Sequence, residues 1–314
     1  MNCMSKYIIT GGTGFLGRNL IKKLISDDNI VYAIVRPTSN NLNLLPDSDK
    51  VIKVFCDFGS IDTCIDTLPV DCAALYHFAW RGVNREELND ELIQHNNVSD
   101  SLKLLNVALE IGCKNFVFAG SRSEYGVQTG TYSENLDCNP IVAYGKAKLE
   151  FGRKAYDICN NTDMRFIHPR IFSVYGPDDH PWSLIYTSVQ KMLKGEDIAL
   201  SECKHYWNFM YVQDALDLIT TITDNSGLIS AEDNSIFNIA TRDIRPLREF
   251  VEEIKYLTKS NSNLIYGAYS QSAESAVPLL PDMDKVERVF DWHAKVSFAE
   301  GIKSIISRME GQDA

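Results

Sequence analysis

The chain has 314 residues, long enough to bury a substantial core and to form one large α/β unit with a smaller lobe. Acidic residues outnumber basic ones by 42 to 31, a formal charge of −11 that argues against a nucleic-acid partner. A small anionic ligand remains compatible, because loop amides and local arginines can supply the field it needs.

In chain order, Tyr7-Ile8-Ile9-Thr10 is a compact apolar run of strand type, and residues 19–25 repeat apolar positions at helical spacing. Between them lies Gly11-Gly12-Thr13-Gly14-Phe15-Leu16-Gly17, so the glycines sit where a strand turns into a helix. A dinucleotide fingerprint needs that context. Gly11 allows the tight turn, Gly14 lets a pyrophosphate approach the backbone, and Gly17 lets the helix pack closely on the strand. The helix start then offers free N–H groups and partial positive charge to phosphates.

The second strand pattern, 29–35, ends at Arg36, about twenty residues past Gly17. An acidic residue there suits the ribose 2′-hydroxyl of NAD, and an arginine suits the 2′-phosphate of NADP. Arg36 therefore favours NADP(H) over NAD(H), the alternative being a solvated surface arginine. Further strand-like runs at 51–55, 73–78, 115–119 and 165–171 alternate with helical ones, which predicts a doubly wound parallel sheet of Rossmann type.

After the 115–119 run comes Gly120-Ser121-Arg122-Ser123-Glu124-Tyr125-Gly126, at the strand end where open α/β sheets bind ligands. A helical pattern then opens with Tyr144-Gly145-Lys146-Ala147-Lys148. Tyr144 and Lys148 are four apart and share a face. Both have reference pKa values of about 10, so a lone phenol is a poor base at neutral pH. An ammonium beside it favours the phenolate and lowers the phenol pKa, while a serine hydroxyl can orient and stabilise a substrate oxygen. The three residues read as a proton-transfer set acting on a carbon–oxygen bond.

With these motifs in hand, the chain resembles the extended short-chain dehydrogenase/reductase family of nucleotide-sugar epimerases, dehydratases and reductases. The resemblance runs through Gly11 to Gly17, Asp57-Phe58, His77-Phe78-Ala79-Trp80, Asn97-Val98, Ser121 to Gly126, Tyr144 to Lys148, Pro169 to Pro177 and Trp207 to Asp214. It implies catalysis by Ser121, Tyr144 and Lys148, with Asn97 supporting the lysine through water. It also implies a cofactor bordered by Gly11, Thr13, Gly14, Phe15, Leu16, Gly17, Arg36, Asp57, Phe58, Phe78 and Ala79. Tyr144 and Lys148 would touch that cofactor as well.

By the same resemblance the dinucleotide-binding domain covers 1–172, with parts of 205–245 returning to it, and a substrate lobe takes most of 173–314. A homodimer built from the 92–111 helix and the Tyr144 helix is a further implication.

Departures from the family pattern narrow the reaction. Family dehydratases carry an Asp-Glu pair straight after the catalytic Ser/Thr; here Arg122 and Ser123 stand there, and Glu124 comes one position too late. The 4-epimerases usually have an acidic residue where Arg36 stands, an arginine where Trp207 stands and an asparagine where Ser173 stands. The combination is similar to reductases of nucleotide-linked 4-keto-6-deoxyhexoses. That reading has Tyr144 protonate the ketone oxygen while NADPH supplies hydride. A 4-epimerase, a dehydrogenase working in the oxidising direction and a non-catalytic NAD(P)-binding regulator are the alternatives. Trp80, Arg122, Ser123, Ser173 and Trp207 are candidate substrate contacts. For Trp80, Trp182 and Trp207, core packing is the competing account.

No apolar run approaches the roughly eighteen residues that span a bilayer, and Met1 to Lys6 lead straight into a strand pattern with no room for a signal peptide. The eight cysteines, at 3, 56, 64, 72, 113, 138, 159 and 203, include no Cys-x-x-Cys, and several fall within apolar patterns. Reduced thiols in a cytoplasmic protein are expected. The six histidines show no metal-ligand spacing. Beyond residue 171, helices are expected at 182–195 and 214–223, and a strand at 208–212. Phe237 to Ala240, Pro246 to Leu257 and Asp284 to Phe290 read as lobe elements, and 260–263 and 270–281 read as loops that border the substrate.

Overall fold

The computed structural model describes residues 4–230, 233–270 and 277–311. Its backbone forms two compact units: Met1–Gly126 with Asp137–Arg170 and Ile219–Phe237, and Val127–Leu136 with Ile171–Leu218 and Asn238–Ala314.

The first unit is built on one sheet. Its strands are β1 (Lys6–Thr10), β2 (Ile30–Val35), β3 (Val51–Phe55), β4 (Ala74–His77), β5 (Asn115–Phe118), the two-residue β6 (Gly120–Ser121) and β7 (Arg165–Ile171). The order β3-β2-β1-β4-β5-β7 places the reversal of winding between β1 and β4, where ligands of such sheets bind. Register is parallel, with Thr10 opposite both Ile34 and His77. Both faces of the sheet are covered, which is why its strands read as nearly continuous apolar runs. One face packs α2 (Glu91–Glu110) and α3 (Ala143–Cys159) over Leu75, Phe116, Phe118, Phe151 and Leu104, all buried. The doubly wound Rossmann sheet expected from the alternation of patterns is present.

The edge beyond β7 belongs to Ile236–Ile239. The His168 N–H donates to the Ser235 carbonyl and the Phe172 N–H to the Ile239 carbonyl, an advance of four residues on each strand that makes the pair parallel. Read from the sequence as a lobe element, the segment is a strand of this sheet, its all-but-buried pattern suits a sheet edge, and the division between the two units falls within it, after Phe237. Such a pairing is non-local, and no neighbour in sequence announces it.

In the second unit, helices Leu184–Leu193, Leu247–Leu257 and Phe298–Glu310 surround Phe209, Phe250, Phe298, Ile302 and Val189. Among the described residues, three small two-stranded sheets complete it. The strand expected at 208–212 is divided: Tyr206–Asn208 pairs antiparallel with Ile244–Pro246, Met210–Tyr211 pairs parallel with Val174–Tyr175, and a helix begins at Val212. The buried Asn208 stands at the break. Its Nδ2 donates to the Thr241 and Asp243 carbonyls, which pins the chain between the two pairings. Of the expected loop at 270–281, residues 271–276 lie outside the described residues.

Candidate active site

The glycine loop is shaped by close backbone approaches. Gly11 has φ +72°, and a Cβ there would stand 2.7 Å from the Ala79 nitrogen. A Cβ on Gly17 would stand 2.3 Å from the Gly11 carbonyl oxygen, so α1 (Phe15–Ser26) can start this close to the turn only without one. The Gly14 N–H donates to the Gly11 carbonyl at 2.9 Å, and Gly14 itself is exposed. No side chain caps α1, so its first N–H groups face the exposed Gly14 rim, a cradle that fits a pyrophosphate. Thr13 and Leu16 are half-buried and Phe15 is buried.

At the end of β2, Arg36 is exposed, and the Ser39 N–H donates to its carbonyl in a tight turn. Asp57, also exposed, follows β3, and the Phe58 ring beside it packs 5.1 Å from the His77 ring. Phe78 and Ala79 are half-buried past β4. Each of these candidate cofactor residues lies at a strand end or in the α1 turn.

A buried hydroxyl–imidazole chain ties the two central strands together at the switch point. Thr10 Oγ1 lies 2.8 Å from His77 Nδ1, and His77 Nε2 lies 2.8 Å from Ser101 Oγ. Ser101 donates its proton to the Asn97 carbonyl, so its oxygen accepts from His77 Nε2–H. Nδ1 must then accept from Thr10, whose oxygen in turn accepts from the Ala79 N–H. Burial pulls the His77 pKa well below the ordinary histidine value, and the Lys148 charge adds to the effect, so the ring is neutral as this tautomer requires. His77 thus holds the β1 and β4 ends in place, a role its sequence position suggests only loosely.

The catalytic candidates converge at the end of β5. Ser121 ends β6 and caps a short turn, its Oγ accepting from the Ser123 N–H at 3.2 Å. Tyr144 stands in the first turn of α3, whose N-terminus is tied to the segment between β4 and α2 through the Tyr144 N–H, which donates to the Leu88 carbonyl. The helix can approach because residue 145 is glycine: a Cβ there would stand 2.4 Å from the Ser123 carbonyl oxygen. Lys148, one turn on, is buried. Its Nζ donates to the Ala119 carbonyl at 2.7 Å and lies 3.9 Å from the centre of the Trp80 ring and 5.6 Å from that of Tyr144.

The titration of these groups departs from the sequence expectation. Although part of Tyr144 remains exposed, desolvation pushes its phenol up to about 12, with hydrogen bonding to Ser121 acting in the opposite direction. Burial pulls the Lys148 ammonium down to about 7, against the attraction of Glu124. The expected lowering of the phenol by the lysine is not seen. Packing penalises the charged form of both groups, and the lysine proton is directed at a carbonyl. Tyr144 is a protonated phenol throughout the neutral range.

The Asn97 side chain bonds to the loop after β4. Its Oδ1 accepts from the Arg81 N–H at 3.1 Å and its Nδ2 donates to the Arg81 carbonyl at 2.8 Å and to Gln94 Oε1 at 3.3 Å. The amide is committed to the loop after β4, where Arg81 also pairs with Asp100. Trp80, oriented by its indole N–H on Gln94 Oε1, packs against the core of the first unit and over Lys148. Arg122 and Ser123 are half-buried in the turn after Ser121. Glu124, in contrast, is fully buried, turned inward onto His168 and Arg170.

Ser173 and Trp207 are half-buried in the second unit, Trp207 beside His205 and Phe209. Trp182 is exposed and stacked on His180 at 4.6 Å. Among the described residues, no group of three or more His, Cys, Asp or Glu could hold a metal ion, and no helix is long and apolar enough to cross a membrane.

Comparison with known proteins agrees with this architecture. Residues 7–240 match the model of the NAD dependent epimerase/dehydratase family. The chain is 26% identical to UDP-N-acetyl-alpha-D-glucosaminuronate decarboxylase of Bacillus cytotoxicus, over 95% of this chain and 96% of that one. It is 28% identical to dTDP-6-deoxy-L-talose 4-dehydrogenase (NAD(+)) of Aggregatibacter actinomycetemcomitans, over 78% and 88%. In fold it resembles a UDP-N-acetylglucosamine 4-epimerase from Methanobrevibacter ruminantium, with a TM-score of 0.87 at 19% identity and coverage of 98% and 99%. Matched by the family's model over residues 7–240, most of its length, the chain belongs to the NAD dependent epimerase/dehydratase family.

Proposed function

We propose that this protein reduces a nucleotide-linked 4-keto-6-deoxyhexose with NADPH, Tyr144 giving the proton to the new alcohol oxygen. The observation that carries the reading is the set of charges around Ser121. The turn presents Arg122 and Ser123, and its one carboxylate, Glu124, is sealed beneath it. A dehydration needs a carboxylate at the sugar, and none in this turn reaches outward. What remains is a phenol held protonated beside a serine hydroxyl, a pair suited to receiving a carbonyl and protonating its oxygen as it is reduced.

When bound, NADPH supplies the hydride. The Gly11–Gly17 loop would hold its pyrophosphate and the exposed Arg36 its 2′-phosphate, with Asp57 and Phe58 bordering the adenine. Ser121 orients the carbonyl, and Lys148 would bind the nicotinamide ribose. Arg122, Ser123 and Trp80 are the substrate contacts proposed within the first unit; Ser173 and Trp207, in the second, are proposed from the sequence resemblance alone. Relatives that act on nucleotide-linked sugars support the substrate class: besides the talose dehydrogenase, the chain is 24% identical to CDP-abequose synthase of Salmonella muenchen. A cytoplasmic homodimer formed through α2 and α3 completes the reading.

A 4-epimerase is the second reading, favoured by the Tyr144, Lys148 and Ser121 arrangement, which would serve either reaction. Titration of purified protein with NADPH and NADH, followed at the reduced-nicotinamide absorbance with a nucleotide-linked 4-keto-6-deoxyhexose, separates the two. Preference for NADPH with stoichiometric oxidation is expected. Tightly held NAD with no net oxidation would replace the reductase with the epimerase.

A further inference from the structure

Beneath the Ser121 turn lies a buried polar cluster that the proposed chemistry does not use. Glu124 Oε1 accepts from the Ser121 N–H at 2.7 Å and lies 3.0 Å from His168 Nε2, while Oε2 accepts from Arg170 Nε at 2.9 Å. All three side chains are at most 2% exposed. Two glycines clear space for the cluster. A Cβ on Gly120 would stand 2.4 Å from His168 Nε2 and 2.6 Å from Glu124 Oε1, and one on Gly152, in α3, would stand 2.4 Å from His168 Cε1. Desolvating a carboxylate and a guanidinium is costly, and an apolar trio of similar volume would serve a purely structural purpose as well.

We propose that Glu124 is a positioning residue. Anchored by His168 and Arg170, its carboxylate clamps the Ser121 backbone and thereby aims the Ser121 hydroxyl at Tyr144 and the substrate oxygen.

The bond to the Ser121 N–H, with the reciprocal bond from Ser123 N–H to Ser121 Oγ, closes a capping box. Both the peptide and the hydroxyl of the serine are therefore directed by one rigid turn, and α3, carrying Tyr144 and Lys148, rests on that turn through Gly145. Burial alone would push Glu124 up, but His168, Arg170 and the Ser121 N–H outweigh it and hold the carboxyl down to about 2. Burial pulls the His168 pKa below its ordinary value despite Glu124. His168 bonds the carboxylate through Nε2, and Arg170 is the permanent counter-charge. Arg170 also faces the Tyr125 ring and Cys138. The carboxylate's field reaches further, favouring the protonated forms of both Tyr144 and Lys148. Lys148 is faced in addition by His77, His168 and the rings of Trp80 and Phe118.

This inference rests on the catalytic set proposed above, so its test includes a readout that needs no substrate. Lysine side-chain NMR of the full chain, with the Lys148 signal identified by its loss in Lys148→Met, should show a midpoint of about 7 in the parent protein. In Glu124→Gln the midpoint should move down by roughly half a unit or more, because the field favouring the ammonium is gone. With the keto-sugar substrate, kcat should fall about tenfold or more while KM and NADPH affinity hold. Glu124→Asp keeps the charge but cannot span both partners, and should lose kcat while keeping the lysine midpoint. If Glu124→Gln does not fold, Glu124→Gln/Arg170→Met removes both buried charges and carries the same expectations. A folded variant with the parent lysine midpoint and parent kcat overturns the proposal. A shifted midpoint in a protein inactive on every keto sugar would leave Glu124's field intact and refute the ketoreductase reading instead.

Discussion

Gly145→Ala isolates the geometry of the site from its chemistry. The new methyl carbon would stand 2.4 Å from the Ser123 carbonyl oxygen, 2.9 Å from its carbonyl carbon and 3.1 Å from Pro140 Cβ. An ordinary carbon contact begins near 3.5 Å, so helix and turn must separate by about 1 Å. The atoms met are mostly backbone, so no side-chain rotation relieves the clash. Alanine gains up to about 1 kcal/mol in helix propensity, and overpacking costs about 1–3 kcal/mol. Net stability should fall by no more than about 3 kcal/mol, several degrees in Tm. The same 1 Å displaces Tyr144 from Ser121, and a misplacement of that size costs roughly 100-fold in turnover. Calorimetry, NADPH binding and NADPH oxidation with the keto sugar read the three quantities separately. Parent turnover in a folded Gly145→Ala protein would show that the close approach of helix and turn does not set the catalytic geometry.

Four further outcomes are expected. Tyr144→Phe should lose about 10²–10⁴ in kcat with cofactor affinity unchanged, and an active variant would remove the phenol from the mechanism. Arg36→Ala should weaken NADPH binding by about 1.5–3 kcal/mol and leave NADH unaffected; equal losses for both cofactors would contradict the 2′-phosphate role. Gly17→Ala, with its Cβ 2.3 Å from the Gly11 carbonyl, should abolish dinucleotide binding by isothermal titration, and retained affinity would contradict the cradle. His77 has a folded pKa below its unfolded value of about 6.5, so its contribution to stability is complete above that pH and declines as the pH falls below it. Burial raises Glu134, Asp214 and Asp224, which slope the other way, so His77→Gln against the parent isolates the term. Between about pH 5 and 7, urea unfolding should show a shallower rise in stability for the variant, and identical slopes would refute the neutral-imidazole assignment.

What the sequence determined by itself was whatever a few consecutive residues encode. Strand, glycine turn and helix follow one another within residues 6–26, and the spacing of Tyr144 and Lys148 puts them on one helix face whatever surrounds them. Alternating strand and helix patterns likewise sufficed for the sheet. Tertiary structure decided the rest, because burial and partnership are properties of distant segments brought together. Ile236–Ile239 joins the sheet edge only when β7 is there to receive it. Thr10, His77 and Ser101 become one proton-ordered chain across two strands and a helix. Asn97 is drawn to Arg81, and the lysine and phenol titrate by their desolvation rather than by each other's charge. Glu124 is the sharpest case. From its position it could have been a displaced dehydratase carboxylate, and only the approach of His168 and Arg170 from β7 turns it inward and leaves the outer side of the turn without a carboxylate.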